Sequence, residues 1–256
     1  MKFAIIAAGE GSRLTNEGIN TPKPLVCLNG EPMIDRLIRI FLANNASSVS
    51  IIVNREMNEV YEHVRKIKST VPLNIIHKST PSSMHSFYEL SHTLGNEKFC
   101  LTTVDTVFRE EEFSKYIDAF NKCSADGLFA VTDYIDDEKP LFIETDDEMS
   151  IKGFYDENIC EIDKAADIHK TGSVNYSDDN NRRFRYVSGG IYCLGNKSIP
   201  VLKTSIEVGM SKLRNFQRQL VKNEFKLQAW PFSKIIDVDH KEDIHKAELF
   251  LKNIDY

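Results

Sequence analysis

The chain has no excess of basic charge, no long apolar run and no paired cysteine motif, and each absence removes a class of function. Its 32 Lys and Arg against 38 Asp and Glu leave a formal charge of −6. It therefore lacks the cationic face with which nucleic-acid binders displace counterions from phosphate backbones. No apolar stretch approaches the roughly 20 residues that cross a bilayer, and the run from Phe3 to Ala8 is shorter than the core of a secretory leader. The five cysteines are scattered without a Cys-x-x-Cys spacing, so neither a zinc site nor a disulfide framework is expected. Cys27, Cys100 and Cys193 lie in apolar stretches and should pack as small hydrophobes, and a reducing cytoplasm is the expected setting. Repeats, low-complexity tracts and an evident linker are missing as well. What remains is ordinary globular composition, 41% hydrophobic and 27% charged over 256 residues, enough for one large α/β domain.

The apolar pattern supports that class. "KFAIIAA", "VSIIVN", "LNIIHK", "KFCLTTV" and "GLFAVTDY" read as buried strands. Between them "PMIDRLIRIFLANN", "EMNEVYEHVRKIKST", "MHSFYELSHTLG" and "REEEFSKYIDAFNKC" carry helical spacing. Repeated strand–helix units predict a Rossmann-like α/β/α domain with a mixed, mostly parallel sheet, whose ligands gather at the carboxyl ends of the strands. After residue 133 the strands "PLFIET", "SIKGFYDE" and "YVSGGIYCLG" follow without long helices between them and predict antiparallel additions. The stretch from Asn158 to Tyr186 has little periodicity. The chain then returns to the helix "MSKLRNFQRQLVKN", the strand "FKLQAW" and a last helix after "IIDVDH".

The first strand leaves its apolar run through Gly9, Gly11, Ser12 and Arg13, a loop suited to phosphate. The chain holds no Gly-x-x-x-x-Gly-Lys-Ser/Thr string, and Leu14 stands where a dinucleotide fold would place its third glycine. Further on, Lys23 is clamped between Pro22 and Pro24, which restrict the backbone on both sides. Loop amides, Arg13 and Lys23 together offer several phosphate oxygens a compact positive environment.

"GEGSRL" followed by "TPKPLV" resembles the nucleotidyltransferase superfamily that joins a nucleotide to a sugar 1-phosphate or similar phosphate. The resemblance implies that Ala8, Gly9, Gly11, Ser12, Arg13 and Lys23 hold the nucleotide, with Ser82 and Ser83 of "TPSSMHSFYEL" near the base. It implies that Asp105, at the end of "FCLTTVDTVF", binds magnesium together with Asp237 of "KIIDVDHKEDI". Asp239 either shares the metal or caps the last helix. Gly189 and Gly190 of "VSGGIYCL" correspond to a strand near the acceptor, where they either admit a sugar ring or mark a bulge. Val104 replaces a usual glycine, and the family's Glu-Lys acceptor motif has no clean counterpart, leaving Glu161 and Lys164 as poor candidates. Residues 1–133 would then be a nucleotide-binding half and 134–256 an acceptor-binding half of one domain.

The chemistry implied is attack by an acceptor phosphate oxygen on the α-phosphorus of a nucleoside triphosphate, with pyrophosphate leaving. The nucleophile is already anionic, so alignment and charge stabilisation suffice. Arg13 and Lys23 would be the catalytic cations. A sugar 1-phosphate is the first choice of acceptor, with phosphocholine or a phosphonate and CTP as the alternative. A non-catalytic sensor of nucleotide or sugar nucleotide is the rival of another class. Neither nucleic acid nor membrane is expected as a partner, and oligomeric state is not legible. The histidines, the "DDE" runs at 136–138 and 146–148, and the mixed face of "RNFQRQLVKN" read as solvated or amphipathic surface.

Overall fold

Successive side chains of Lys2–Ala7 (β1) leave opposite faces of the strand. Phe3, Ile5 and Ala7 enter one hydrophobic core, and Ala4 and Ile6 enter another. A strand apolar on both faces needs a helical layer on each. The computed structural model, which describes residues 1–156 and 184–252, supplies both layers.

After β1 come α1 (Ser12–Asn16), a 3₁₀ turn (Lys23–Leu25), the short ladder β2 (Cys27–Leu28) and β3 (Glu31–Pro32), and α2 (Met33–Ala43). The units β4 (Ser48–Val53) with α3 (Asn58–Val64), and β5 (Leu73–His77) with α4 (Ser83–Leu94), follow. Next are β6 (Phe99–Thr103), β7 (Thr106–Val107), α5 (Glu110–Lys122) and β8 (Gly127–Thr132). The later chain provides β9 (Leu141–Thr145), β10 (Ile151–Asp156), β11 (Tyr186–Leu194), α6 (Ser198–Glu207) and α7 (Leu213–Lys222). It ends with β12 (Leu227–Pro231), β13 (Ile236–Asp237) and α8 (Lys241–Leu251).

Among the described residues the main sheet has nine strands, ordered β10-β9-β11-β6-β1-β4-β5, with β8 and β12 attached at β11. The run β6-β1-β4-β5 is parallel, so four carboxyl ends point to one edge. β11 returns antiparallel beside β6, with Ile191 opposite Thr102. α2, α5 and α8 cover one face through residues such as Phe41, Phe113 and Phe250, and α4, α6 and α7 cover the other through Phe87, Leu202 and Phe216. On the first face the rings of Phe3 and Phe41 stack at 4.5 Å and those of Phe108 and Phe113 at 4.8 Å, contacts that add to the area they bury.

Several local expectations change. The glycine loop runs directly into the short helix α1, which the sequence pattern did not predict; Leu14, 1% exposed, anchors it. α3 stops at Val64, where the next turn tightens: the Lys66 and Ile67 N–H groups donate to the His63 and Val64 carbonyls, three residues back. The Ser198–Glu207 helix was not foreseen. Cys100 and Cys193 are buried, but Cys27 is exposed and does not pack as a hydrophobe. The pattern-poor stretch at 158–186, with Glu161 and Lys164, lies mostly outside the described residues.

β11 pairs with β8 through a register shift between Ser188 and Tyr192, so the two glycines do mark a bulge. Gly190 has φ of 71°, and a Cβ there would stand 2.9 Å from Thr106 Oγ1. Gly190→Ala should therefore lower the unfolding free energy by about 1–2 kcal/mol, the cost of a left-handed L-residue. An unchanged urea midpoint would contradict this reading of the bulge.

Candidate functional site

The turn after β1 brings the two predicted cations together. Gly11 adopts φ of 64°, and a Cβ on it would sit 3.0 Å from Lys23 Cβ. A residue without a side chain is thus what lets the Pro22–Pro24 segment lie against the loop. Gly9 has nothing within 4 Å of such a Cβ, so packing gives no reason for it. Ser12 and Arg13 open α1 and are exposed, whereas Lys23 begins the 3₁₀ turn and is 9% exposed.

A buried ammonium requires partners. Lys23 Nζ bonds to Asp105 Oδ2, and to Asp239 Oδ1 at 2.5 Å. Burial pulls the Lys23 ammonium down, but the two carboxylates outweigh it and hold its pKa above the ordinary value. Asp105 resists the upward push of its own burial because Lys23 keeps it ionised, below the usual carboxylate range. The second Asp239 oxygen accepts from Arg13 Nη1 at 2.6 Å, so the loop, the turn after β6 and the segment before α8 meet at one charge cluster.

A short ladder explains how distant aspartates become neighbours. β13 pairs antiparallel with β7, placing Asp237 opposite Thr106, and Val238 N–H donates to the Asp105 carbonyl at 3.1 Å. Asp239 does not cap the last helix: His240 holds the cap position, and Asp243 Oδ2 accepts from the N–H groups of Asp239 and His240.

Asp237 is strongly perturbed. Although its surface opens onto the cleft, the protein packed around it removes bulk hydration. That loss first, and then repulsion by Asp105, Asp137 and Asp239, pushes its carboxyl up to about 8. Asp105 Oδ1 is buried without a hydrogen-bond partner. One orphan oxygen beside a crowded carboxyl is a donor set that fits a hard divalent cation. Among the described residues no three His, Cys, Asp or Glu side chains converge on one ion. Asp105 and Asp237 would therefore contribute two ligands, and substrate oxygens and water the rest. Asp239, engaged by Lys23 and Arg13, would join only after releasing one of them.

A cleft of about 1160 Å³ opens beside these groups, with Arg13, Asp237, Asp239 and Gly189 in its wall. The cleft is also lined by the "DDE" segment at 136–138, exposed as read from sequence but held by ion pairs. Glu138 lies 3.2 Å from Arg13 Nη2 and 3.3 Å from His240 Nε2, while Asp136 accepts from Lys246 at 2.8 Å. Charge runs without spacing gave no hint of this pairing. Glu17, at the end of α1, closes the ring by accepting from His240 Nδ1 and from the Lys241 N–H, each at 2.6 Å.

Ser82 and Ser83 stand at the same sheet edge at the start of α4, where Ser82 Oγ caps the helix by accepting from His85 N–H. Sequence reasoning missed Asn54, which donates to the Ala8 carbonyl at 3.2 Å and accepts from Ser79 at 2.8 Å. It ties the glycine loop to the segment before Ser82, and its place just after β4 was the available signal. Gly190 lies under the turn that holds Asp105, next to Thr106.

The family model described as the MobA-like NTP transferase domain matches residues 3–156. Among curated proteins, the bifunctional protein GlmU of Thermodesulfovibrio yellowstonii is 27% identical over 128 residues, 49% of this chain and 27% of that protein. GlmU of Neisseria gonorrhoeae is 30% identical over 66 residues, 26% of this chain and 14% of that protein. The chain thus spans about a quarter or less of these relatives. Two solved structures share the fold. The inositol-1-phosphate CTP transferase of T. maritima has a TM-score of 0.75 at 17% identity, covering 99% of this chain and 95% of its own. A UDP-glucose pyrophosphorylase complexed with UDP-glucose has a TM-score of 0.75 at 14% identity, covering 98% of each chain.

The Glu17–His240 contact predicts a pH dependence. Glu17 raises the His240 pKa above 6.5 through their hydrogen bond. Stability from this pair is full below that unfolded value and is lost as pH rises through the raised one. Glu17→Gln should therefore lower Tm more at pH 6 than at pH 9, by calorimetry. An equal loss at both would show that only the Lys241 N–H contact matters.

Proposed function

The chain belongs to the MobA-like NTP transferase family, and from that premise we propose that it transfers a nucleotidyl group from a nucleoside triphosphate to a phosphate-bearing acceptor, releasing pyrophosphate. The observation that carries this reading is the junction of Lys23 with Asp105 and Asp239, beside Arg13 and the glycine loop. It places buried positive charge and hard carboxylates at the carboxyl edge of the parallel strands, where two anions must be brought into line.

In this reading Gly11 and its neighbours cradle the triphosphate with backbone amides, and Arg13 turns from Asp239 and Glu138 to the leaving phosphates. Lys23 supports the α-phosphate and offsets charge as the α-phosphorus changes partners. Ser82 and Ser83 lie toward the base. A magnesium ion held by Asp105 and Asp237 would supply charge neutralisation and orientation of the triphosphate. Residues 1–133 bind the nucleotide, and 134–256 shape the acceptor side. A sugar 1-phosphate is the leading acceptor. The soluble cytoplasm, where such phosphates are made, is the proposed setting.

A catalytically silent sensor is the poorer reading, because it has no need of a carboxyl crowded as Asp237 is. Pyrophosphate release across a panel of triphosphates and acceptors, with and without magnesium, separates the two. Lys23→Ala should reduce turnover ~100–1000-fold in a folded protein, and near-normal turnover would refute its role.

Magnesium binding has its own readout. Asp237 has a folded-state value near 8 against an ordinary 3.8, so the ion-free protein loses stability as pH rises between them. At pH 8, Asp237→Asn should raise the Tm of the ion-free protein and shrink the magnesium-induced rise seen in the wild type. Equal magnesium responses in the two proteins would contradict the assignment.

A further inference from the structure

At the start of α7 four cations surround one carboxylate. Arg214 and Arg218, one turn apart, both engage Asp156 at the end of β10, Arg218 Nη2 at 2.7 Å. Arg214 Nη2 also donates to the Lys139 carbonyl and Arg218 Nε to the Phe154 carbonyl, each at 3.1 Å. These bonds fix both guanidinium planes. Lys139 and Lys212, exposed, line the same pocket of about 430 Å³. A structural staple between α7 and β10 requires one arginine and one aspartate. Among the described residues, the second arginine and the two lysines leave a surplus of positive charge that no other side chain lining the pocket offsets.

The pocket belongs to the working edge of the sheet. Asp156 pairs with Leu141, and β9 in turn pairs with Tyr186 and Val187 just before the glycine bulge. Pro140 lines both this pocket and the cleft that contains Asp237. The buried Tyr192 between them feels both Asp237 and Arg214. Fixed guanidinium forks match the oxygens of a phosphate or phosphonate, which lysines alone hold less selectively.

We propose that Arg214, Arg218, Lys139 and Lys212 form a subsite for a phosphate or phosphonate dianion. Resting on the nucleotidyl-transfer reading, this subsite receives the anionic group of the acceptor, and Asp156 occupies the arginines until it arrives. The family's Glu-Lys pattern is not legible in this chain, and these arginines take on the task of binding acceptor charge.

Inorganic phosphate, titrated calorimetrically into the full chain at constant ionic strength, is the direct probe. Arg214→Gln and Lys212→Glu should each weaken binding roughly tenfold or more. Asp156→Asn, which removes the internal competitor, should tighten it, and Arg13→Gln should leave it in place. In turnover, Arg214→Gln and Lys212→Glu should raise KM for the acceptor and not KM for the triphosphate. Lys212 is exposed, so its variant tests the subsite even if Arg214→Gln fails to fold. Absence of phosphate binding in the wild type, or binding unaltered by Lys212→Glu and Asp156→Asn, would overturn the subsite. The expected calorimetric pattern in a protein that releases no pyrophosphate with any triphosphate would support the subsite while removing the nucleotidyl-transfer reading.

Discussion

The ammonium of Lys23 is the constraint on which the rest of the site depends. It is nearly buried, and a charge removed from water must be met by opposite charge at close range. Asp105 and Asp239 meet it from positions 82 and 216 residues further along the sequence. To bring them there the chain needs a glycine at position 11, a turn after β6 and the β7–β13 ladder. The carboxylates gathered this way repel Asp237, which is left as the least comfortable ion in the cluster. The arrangement is therefore compensated around Lys23 and under-compensated around Asp237.

That imbalance connects structure to the proposed chemistry. Arg13 is held by Asp239 and Glu138, two carboxylates that stand where phosphate oxygens are proposed to bind. A triphosphate entering with a cation would exchange these internal contacts for its own and relieve the repulsion among the aspartates. Charge balance, more than shape, then governs occupancy. The same logic holds on a smaller scale at Asp156, whose arginines are engaged internally yet outnumber it.

Much of the fold was legible because β1, β4 and β6 carry short apolar runs and the intervening helices carry spaced apolar residues. The glycine loop and Lys23 were legible because glycine and proline have local backbone consequences that sequence displays. The sequence favoured Asp237 as the metal ligand and left Asp239 between sharing the metal and capping the last helix, since a carboxylate just before a helix suits either; the structure gives the cap to His240 and pairs Asp239 with Lys23 and Arg13. Asp136 and Glu138 are solvent-facing as read, but a charge run has no periodicity, so their partners Lys246, Arg13 and His240, remote in the chain, were not legible. Arg214 and Arg218 were hidden in the same way within an amphipathic helix whose apolar face explained the pattern by itself.

The central claim, that phosphate charge collects where the glycine loop, Lys23 and the aspartates meet, is tested most directly by a crystal structure with a non-hydrolysable nucleoside triphosphate and magnesium. The account predicts phosphates on the amides near Gly11, within reach of Arg13 and Lys23, and the metal on Asp105 and Asp237. A nucleotide seated elsewhere, with Lys23 still bonded only to Asp105 and Asp239, would contradict it.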